Sequence, residues 1–184
     1  MNKVILILVV FVMVSCKTDD SPKATALSSD WTFKNVKDTI WKGAEVPGEV
    51  HSDLFRNGTI EDPFVANNEL DLQWISAEDW EYKTNFKVDE ETLLKKHLEL
   101  EFKGLDTYAT VFLNGKSILK TNNAFREFIV DVKPLLKAEN ELRIVFESTT
   151  KAETAEKEKL PYELPAGDRI FTRKPQFHYG WDWG

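Results

Sequence analysis

An all-β sandwich of the jelly-roll kind is the fold class this sequence predicts, and three observations carry it. About eight short segments alternate apolar and polar residues, the pattern of strands with one buried face. Turn residues separate them, including an Asn-Gly pair, Asn114-Gly115, between two strand-like runs. The chain has 184 residues, enough for one solid core and too few for a complete (β/α)₈ barrel, which takes about 250. A jelly roll closes two sheets on each other and so manages their exposed edges.

The first elements are short. Trp31-Thr-Phe33 and Trp41 to Val46 read as strands, and Pro47-Gly48 turns the chain after the second. His51 to Gly58 reads as a helical turn that Ser52 caps and Gly58 stops in the left-handed conformation. Trp80 to Val88 alternates cleanly. His97 to Phe102 does the same, with Leu98, Leu100 and Phe102 inward. Ala109 to Leu113 and Lys116 to Lys120 flank the Asn-Gly turn, whose two positions both require positive φ. Phe125 to Val132 and Glu141 to Phe146 complete the set, with a helical turn expected over Lys133 to Lys137. Lys151 to Lys159 is helical in composition and charged on nearly every side, which predicts a solvated surface helix.

The start of the chain reads as an address. Met1-Asn-Lys3 is a positive start, and Val4 to Val14 is an unbroken apolar run. At ~1.5 Å per residue that run is too short to span a ~30 Å hydrocarbon core, and it matches the apolar part of a secretory signal. Met13-Val-Ser-Cys16 resembles the lipobox of bacterial lipoproteins, in which the signal is removed before a cysteine that becomes lipidated. Residues 1–15 are therefore expected to be a signal peptide and residues 16–29 a polar tether lipidated at Cys16. Residues 30–150 form the predicted jelly roll, and residues 151–184 the charged helix, a loop and an aromatic terminal cluster. The resemblance implies an exported protein held in a bacterial outer membrane, facing the periplasm or the cell surface.

Composition excludes several classes. The formal charge is −7 and no basic run occurs, so no nucleic-acid partner is expected. One cysteine forms no disulfide within the chain. His51, His97 and His178 are scattered, so neither a metal site nor a cofactor is expected, and no phosphate-cradling glycine loop is present.

Trp181-Asp182-Trp183 is the most pointed chemical feature. Indole faces cover the C–H faces of sugars, and a carboxylate accepts strong hydrogen bonds from sugar hydroxyls. An extended strand points Asp182 away from both tryptophans, so joint action on one ligand requires a bend; Gly180 and Gly184 flank the triplet. By residue chemistry alone, core-filling tryptophans and a turn-capping Asp are the plainer assignment.

Three segments alter that balance. They are Val46 to Leu54 with Gly58 to Pro63, then Phe102-Lys-Gly104-Leu105-Asp106-Thr107 running to Gly115, and Arg173 to Gly184. Together they resemble the N-terminal domain of β-mannosidases of glycoside hydrolase family 2. The resemblance implies a galactose-binding-like jelly roll fused to later domains of the same polypeptide. It implies that Trp181, Asp182 and Trp183 contact the nonreducing mannose of a β-mannoside or mannose-terminated oligosaccharide. Retaining glycosidases use two carboxylates about 5–5.5 Å apart, and the resemblance implies a pair in a barrel after residue 184. The fragment alone is thus expected to be inactive, and the chain is read as truncated before that barrel. Asn68-Glu69 and Asn140-Glu141 match the family's acid/base dipeptide, but neither follows a barrel strand, and both are rejected. Gly104, Asp106 and His51 are read as structural. A stand-alone carbohydrate-binding lipoprotein and another family 2 specificity are the competing readings.

Overall fold

A computed structural model describes residues 23–165 and 167–179 of the chain. Among them are eight strands: β1 (Thr32–Asn35), β2 (Lys42–Gly43), β3 (Trp80–Lys87), β4 (Glu99–Phe102), β5 (Ala109–Leu113), β6 (Lys116–Lys120), β7 (Phe128–Asp131) and β8 (Glu139–Phe146). They form a six-stranded sheet ordered β2-β1-β3-β8-β5-β6 and a two-stranded sheet of β4 and β7. Every pairing between them is antiparallel. The predicted β-sandwich is present.

The period-two pattern explains how the large sheet acquires two unlike faces. Phe33, Tyr82, Ile144, Val111 and Leu119 are successive cross-strand partners and form one row. The first four are buried, and Leu119 packs against the same core. One residue along, Thr32, Lys83, Arg143, Phe112 and Ser117 form the adjacent row on the other face. There Arg143 lies 4.2 Å from the Phe112 ring and Lys83 lies 4.2 Å from the Trp41 ring. A one-residue slip would exchange the two faces, so burial of one row fixes the register of the whole sheet. From the small sheet, Leu100, Phe102, Phe128 and Val130 pack on the core, whereas Ile129 faces out. Trp31 and Trp80 are buried, and each indole N–H reaches a carbonyl, Leu27 at 2.6 Å and Ile75 at 3.0 Å.

The Asn114-Gly115 turn forms as predicted, with φ of +52° and +80°. The Asn114 side chain adds what no turn rule contains. It accepts from Glu141 N at 3.0 Å and donates to Leu135 O and Asn140 Oδ1, both at 2.9 Å. Gly58 takes the predicted left-handed conformation at φ +63°.

Several expectations are corrected. The second strand is only Lys42–Gly43, because Glu45 N donates to the Asp53 carboxylate at 3.0 Å instead of to a neighbouring strand. Helix α1 (Val50–Arg56) has Glu49 at its cap position, and Ser52 bonds the Glu49 side chain rather than capping the backbone. The helical turn expected over Lys133 to Lys137 is, by contrast, present as a single turn, with Leu136 N reaching Val132 O at 3.0 Å. The short helices α2 (Asn68–Asp71) and α3 (Glu90–Leu93) carry too few residues to show a helical period. Helix α4 (Thr149–Lys157) lies where a solvated helix was expected, but it buries Glu153.

Candidate functional site

Cys16, Trp181, Asp182 and Trp183 lie outside the described residues. The structure does describe the segment that precedes the triplet in the chain, as far as Tyr179. Strand β5 begins, and β6 and β8 end, at the edge opposite the Asn114-Gly115 turn. Along this edge runs a C-terminal arm, built of two 3₁₀ turns, Asp168–Phe171 and Gln176–Tyr179, and the stretch between them.

Main-chain and side-chain contacts tie the arm down. Asn123 and Arg173 form an isolated parallel bridge, with Ala124 N donating to Arg173 O at 2.9 Å. The Tyr108 hydroxyl lies 3.4 Å from both Phe171 O and Thr172 Oγ1. Lys174 Nζ sits 2.6 Å from Asp106 Oδ2, with the lysine side chain 14% exposed. The Tyr179 hydroxyl donates to Glu153 Oε1 at 2.5 Å. Burial first, and the bond to Glu153 second, push the Tyr179 pKa well above the ordinary phenol value, so Tyr179 acts as a donor.

Asp106 is aimed by a strained loop. Thr107 is fully buried at φ +59°, a conformation that costs a β-branched residue of order 1–3 kcal/mol. Its neighbours hold it there. Thr107 N donates to Leu105 O at 2.7 Å, and its carbonyl accepts from Thr121 Oγ1 at 2.7 Å. Thr121 Oγ1 in turn accepts from Ala109 N at 3.1 Å, locking the loop to the start of β5. The Thr107 hydroxyl also donates to Asp106 Oδ1 at 3.1 Å, which leaves Oδ2 toward Lys174. Asp106 thus has the structural role the sequence assigns it, as a link between the sandwich and the arm. A Cβ at Gly104 would meet nothing within 4 Å, and the left-handed residue of this loop is Thr107.

A second polar centre lies under α1. Asp53 is fully buried. Its Oδ1 accepts from Glu45 N at 3.0 Å and Arg56 Nη1 at 2.6 Å, and its Oδ2 from the Tyr82 hydroxyl at 2.9 Å. Arg56 Nη2 also pairs with Glu45 Oε2 at 2.6 Å. Burial, then the Asp53 charge, hold the Tyr82 phenol protonated far above its ordinary range. This carboxylate is closed off from solvent and engaged on both oxygens, so it anchors the α1 loop and does not meet a substrate. His51, in the first turn of α1, has a lowered pKa. Desolvation is the main cause, the Lys174 charge adds to it, and Glu49 opposes both.

The two rejected dipeptides fall in unlike places. Glu69 is exposed on α2. Asn140 is buried, and its amide bridges Lys137 and Asn114, so Asn140-Glu141 belongs to a strand entry. Glu153 is the residue that sequence reasoning missed. In a helix so charged, no local signal separates the one carboxylate that turns inward. Among the described residues, no three His, Cys, Asp or Glu side chains converge to hold a metal ion. Among them, too, no helix is long and apolar enough to cross a membrane.

Residues 31–184 match the family described as glycosyl hydrolase 2 galactose-binding domain-like. A probable β-mannosidase of Caenorhabditis elegans is 32% identical over 176 residues, covering 86% of this chain and 19% of that protein. β-Mannosidase B of Thermothelomyces thermophilus is 39% identical over 167 residues, with 86% and 19% covered. Among solved structures, the β-D-mannosidase of Dictyoglomus thermophilum superposes with a TM-score of 0.82 at 44% identity, over 86% of this chain and 20% of that one. The exo-chitosanase CsxA of Amycolatopsis orientalis shares the fold, at TM-score 0.58 and 19% identity over 68% of this chain and 16% of that one. The chain spans about a fifth of the length of these β-mannosidases.

Proposed function

The chain belongs to the glycosyl hydrolase 2 galactose-binding domain-like family, and from that premise we propose that it is the N-terminal domain of an exported, retaining β-mannosidase. The observation that carries this reading is the 44% identity to a solved β-D-mannosidase over 86% of the chain. In this reading the sandwich and its arm deliver Trp181, Asp182 and Trp183 to the nonreducing mannose. The tryptophans cover the sugar's C–H faces while Asp182 accepts from its hydroxyls. The acid/base and nucleophile carboxylates come from a barrel of the kind the longer relatives have length for. Asp53, Asp106 and Glu153 are each engaged in holding the domain or its arm.

The test uses the full polypeptide the gene encodes, assayed on an aryl β-D-mannoside against the matching galactoside and glucosaminide. Preference for the mannoside is expected. Asp182→Ala should lower kcat/KM by about 10²-fold or more, the loss that goes with charge-assisted bonds of ~1.5–3 kcal/mol each. A preference for another glycoside overturns the specificity, and mannoside turnover by residues 17–184 alone overturns the need for a barrel. Anchoring through Cys16 belongs to the same proposal. Cys16→Ala should abolish lipid labelling and release the protein from membranes, and unchanged labelling excludes it.

A further inference from the structure

A cleft of about 200 Å³ opens between β1, helix α1 and the 3₁₀ turn Gln73–Ala77. Pockets for drug-sized ligands run to ~300–1,000 Å³, so this one suits a single small ring. Its floor is apolar, made of Phe33, Leu54 and Trp80 from the core. Trp74 stands at its rim, 42% exposed and in tilted contact with Trp80 at 6.0 Å between ring centroids. A half-exposed indole beside a packed one leaves aromatic surface for a ligand to cover.

Asp38, Lys42 and Thr59 bring polar groups to the same rim. Lys42 Nζ donates to Thr59 Oγ1 at 2.7 Å, a bond that uses one of the three N–H donors of an ammonium. Among the described residues, no hydrogen bond or ion pair engages the Asp38 carboxylate. Its loop is nevertheless fixed. Lys34 Nζ donates to Val36 O at 3.1 Å and to Asp38 O at 2.8 Å. Asp38 N donates to Asn35 O, and Lys37 N to Asn35 Oδ1, both at 2.9 Å. Asp53 and Asp106 spend their carboxylates on the fold, whereas Asp38 is carried on a braced loop with its carboxylate unspent. An acceptor already held in place loses little freedom when a ligand meets it.

A matching ligand has an apolar face for the indole and edge groups that both donate to a carboxylate and accept from an ammonium. A pyranose ring meets all three demands. The rim carries one carboxylate and one ammonium, so a neutral ring suits it better than an ion. Lys34 also lines the cleft, but its donors go to main-chain carbonyls and its charge lies 4.0 Å from Glu81. We propose that this cleft is a binding subsite for a neutral pyranose ring, with Trp74 covering a C–H face, Asp38 accepting from ring hydroxyls and Lys42 donating to them. The subsite is separate from the sugar contacts proposed above and does not rest on them.

The test uses the full polypeptide the gene encodes, labelled with 5-fluorotryptophan and read by ¹⁹F NMR. The probes are methyl α-D-mannopyranoside, a ring whose linkage a β-glycosidase leaves intact, and sorbitol, an open-chain polyol. The Trp74 signal is identified by Trp74→Phe, and the Trp31 signal by Trp31→Phe. The glycoside should shift Trp74 saturably in the millimolar range, sorbitol should leave it in place, and the buried Trp31 should not move. Asp38→Ala should weaken the binding about tenfold or more, the loss that goes with one charge-assisted bond. Asp38 is exposed, so this variant keeps the fold. An absent shift overturns the subsite, as does an equal shift with sorbitol or an affinity that ignores Asp38→Ala. Movement of Trp31 along with Trp74 also overturns it, since the sugar then acts on the whole domain. The two proposals fail separately. Mannoside turnover by a protein whose Trp74 signal ignores the glycoside overturns the subsite and leaves the function, and a saturable Trp74 shift without mannoside turnover does the reverse.

Discussion

The sandwich and the arm are held by different physics. In the sandwich, rows such as Phe33, Tyr82, Ile144 and Val111 bury apolar surface in register. Its chief polar centre, Asp53, is fully enclosed and meets three donors. The arm is tied at its edge by a main-chain bridge at Arg173, an ion pair at Lys174 and a phenol at Tyr179. The difference teaches where a polar contact matters to stability. An enclosed carboxylate such as Asp53 is part of the fold because leaving it or its buried Tyr82 donor unpaired is costly, whereas a half-exposed contact such as Lys174–Asp106 chooses a position for a segment that solvent would otherwise satisfy.

The largest effect that can sharpen this comparison is Asp53→Ala. It strands the buried Tyr82 hydroxyl and leaves Glu45 N without its acceptor, while the half-exposed Arg56 keeps Glu45. Urea unfolding should show a loss of about 3–5 kcal/mol, the range for breaking a buried pair by removing one partner. A loss below ~1 kcal/mol would break the comparison, placing the α1 loop with the arm rather than with the body. Next is Lys174→Ala. The ion pair includes a half-exposed Asp106, so global stability should fall by less than about 1 kcal/mol. Limited proteolysis after Arg173 should nevertheless become faster, since the arm loses its middle tie. A large stability change with unchanged proteolysis would show the arm to be part of the body.

The smallest effect concerns His51. Its folded-state pKa lies below the ordinary value of 6.5, because desolvation and Lys174 disfavour the imidazolium. The unfolded chain therefore binds the proton more readily. His51 contributes stability that is present above pH 6.5 and is lost as the pH falls from there toward its lowered folded value. His51→Asn should flatten the stability profile in that window, as followed by urea midpoints at a series of pH values. Lys174→Ala should flatten it in part, and an unchanged slope in both would separate the start of α1 from the arm.

How legible each part was follows the same division. The β3 alternation from Trp80, the Asn114-Gly115 turn and the Gly58 stop were all readable, because backbone dihedrals and local periodicity decide them. The true length of β2 was not, since it depends on Asp53 capturing Glu45 N eight residues away. Likewise Ser52 satisfies every local rule for a cap, yet its hydroxyl goes to Glu49.

The sequence by itself determined the sandwich class, the period-two alternation of strands such as β3 and the family segments, since side-chain period and short motifs are properties of neighbours along the chain. Only the tertiary structure decided which charges are enclosed. Asp53 and Glu153 look like any surface carboxylate in their helices, and burial comes from elements far off in sequence, β3 for the first and the C-terminal arm for the second. Likewise, only the tertiary structure put strain into Thr107, whose left-handed backbone persists because Thr121 and the start of β5 close around it. Enclosure is a property of three-dimensional neighbours, and a local pattern carries no record of them.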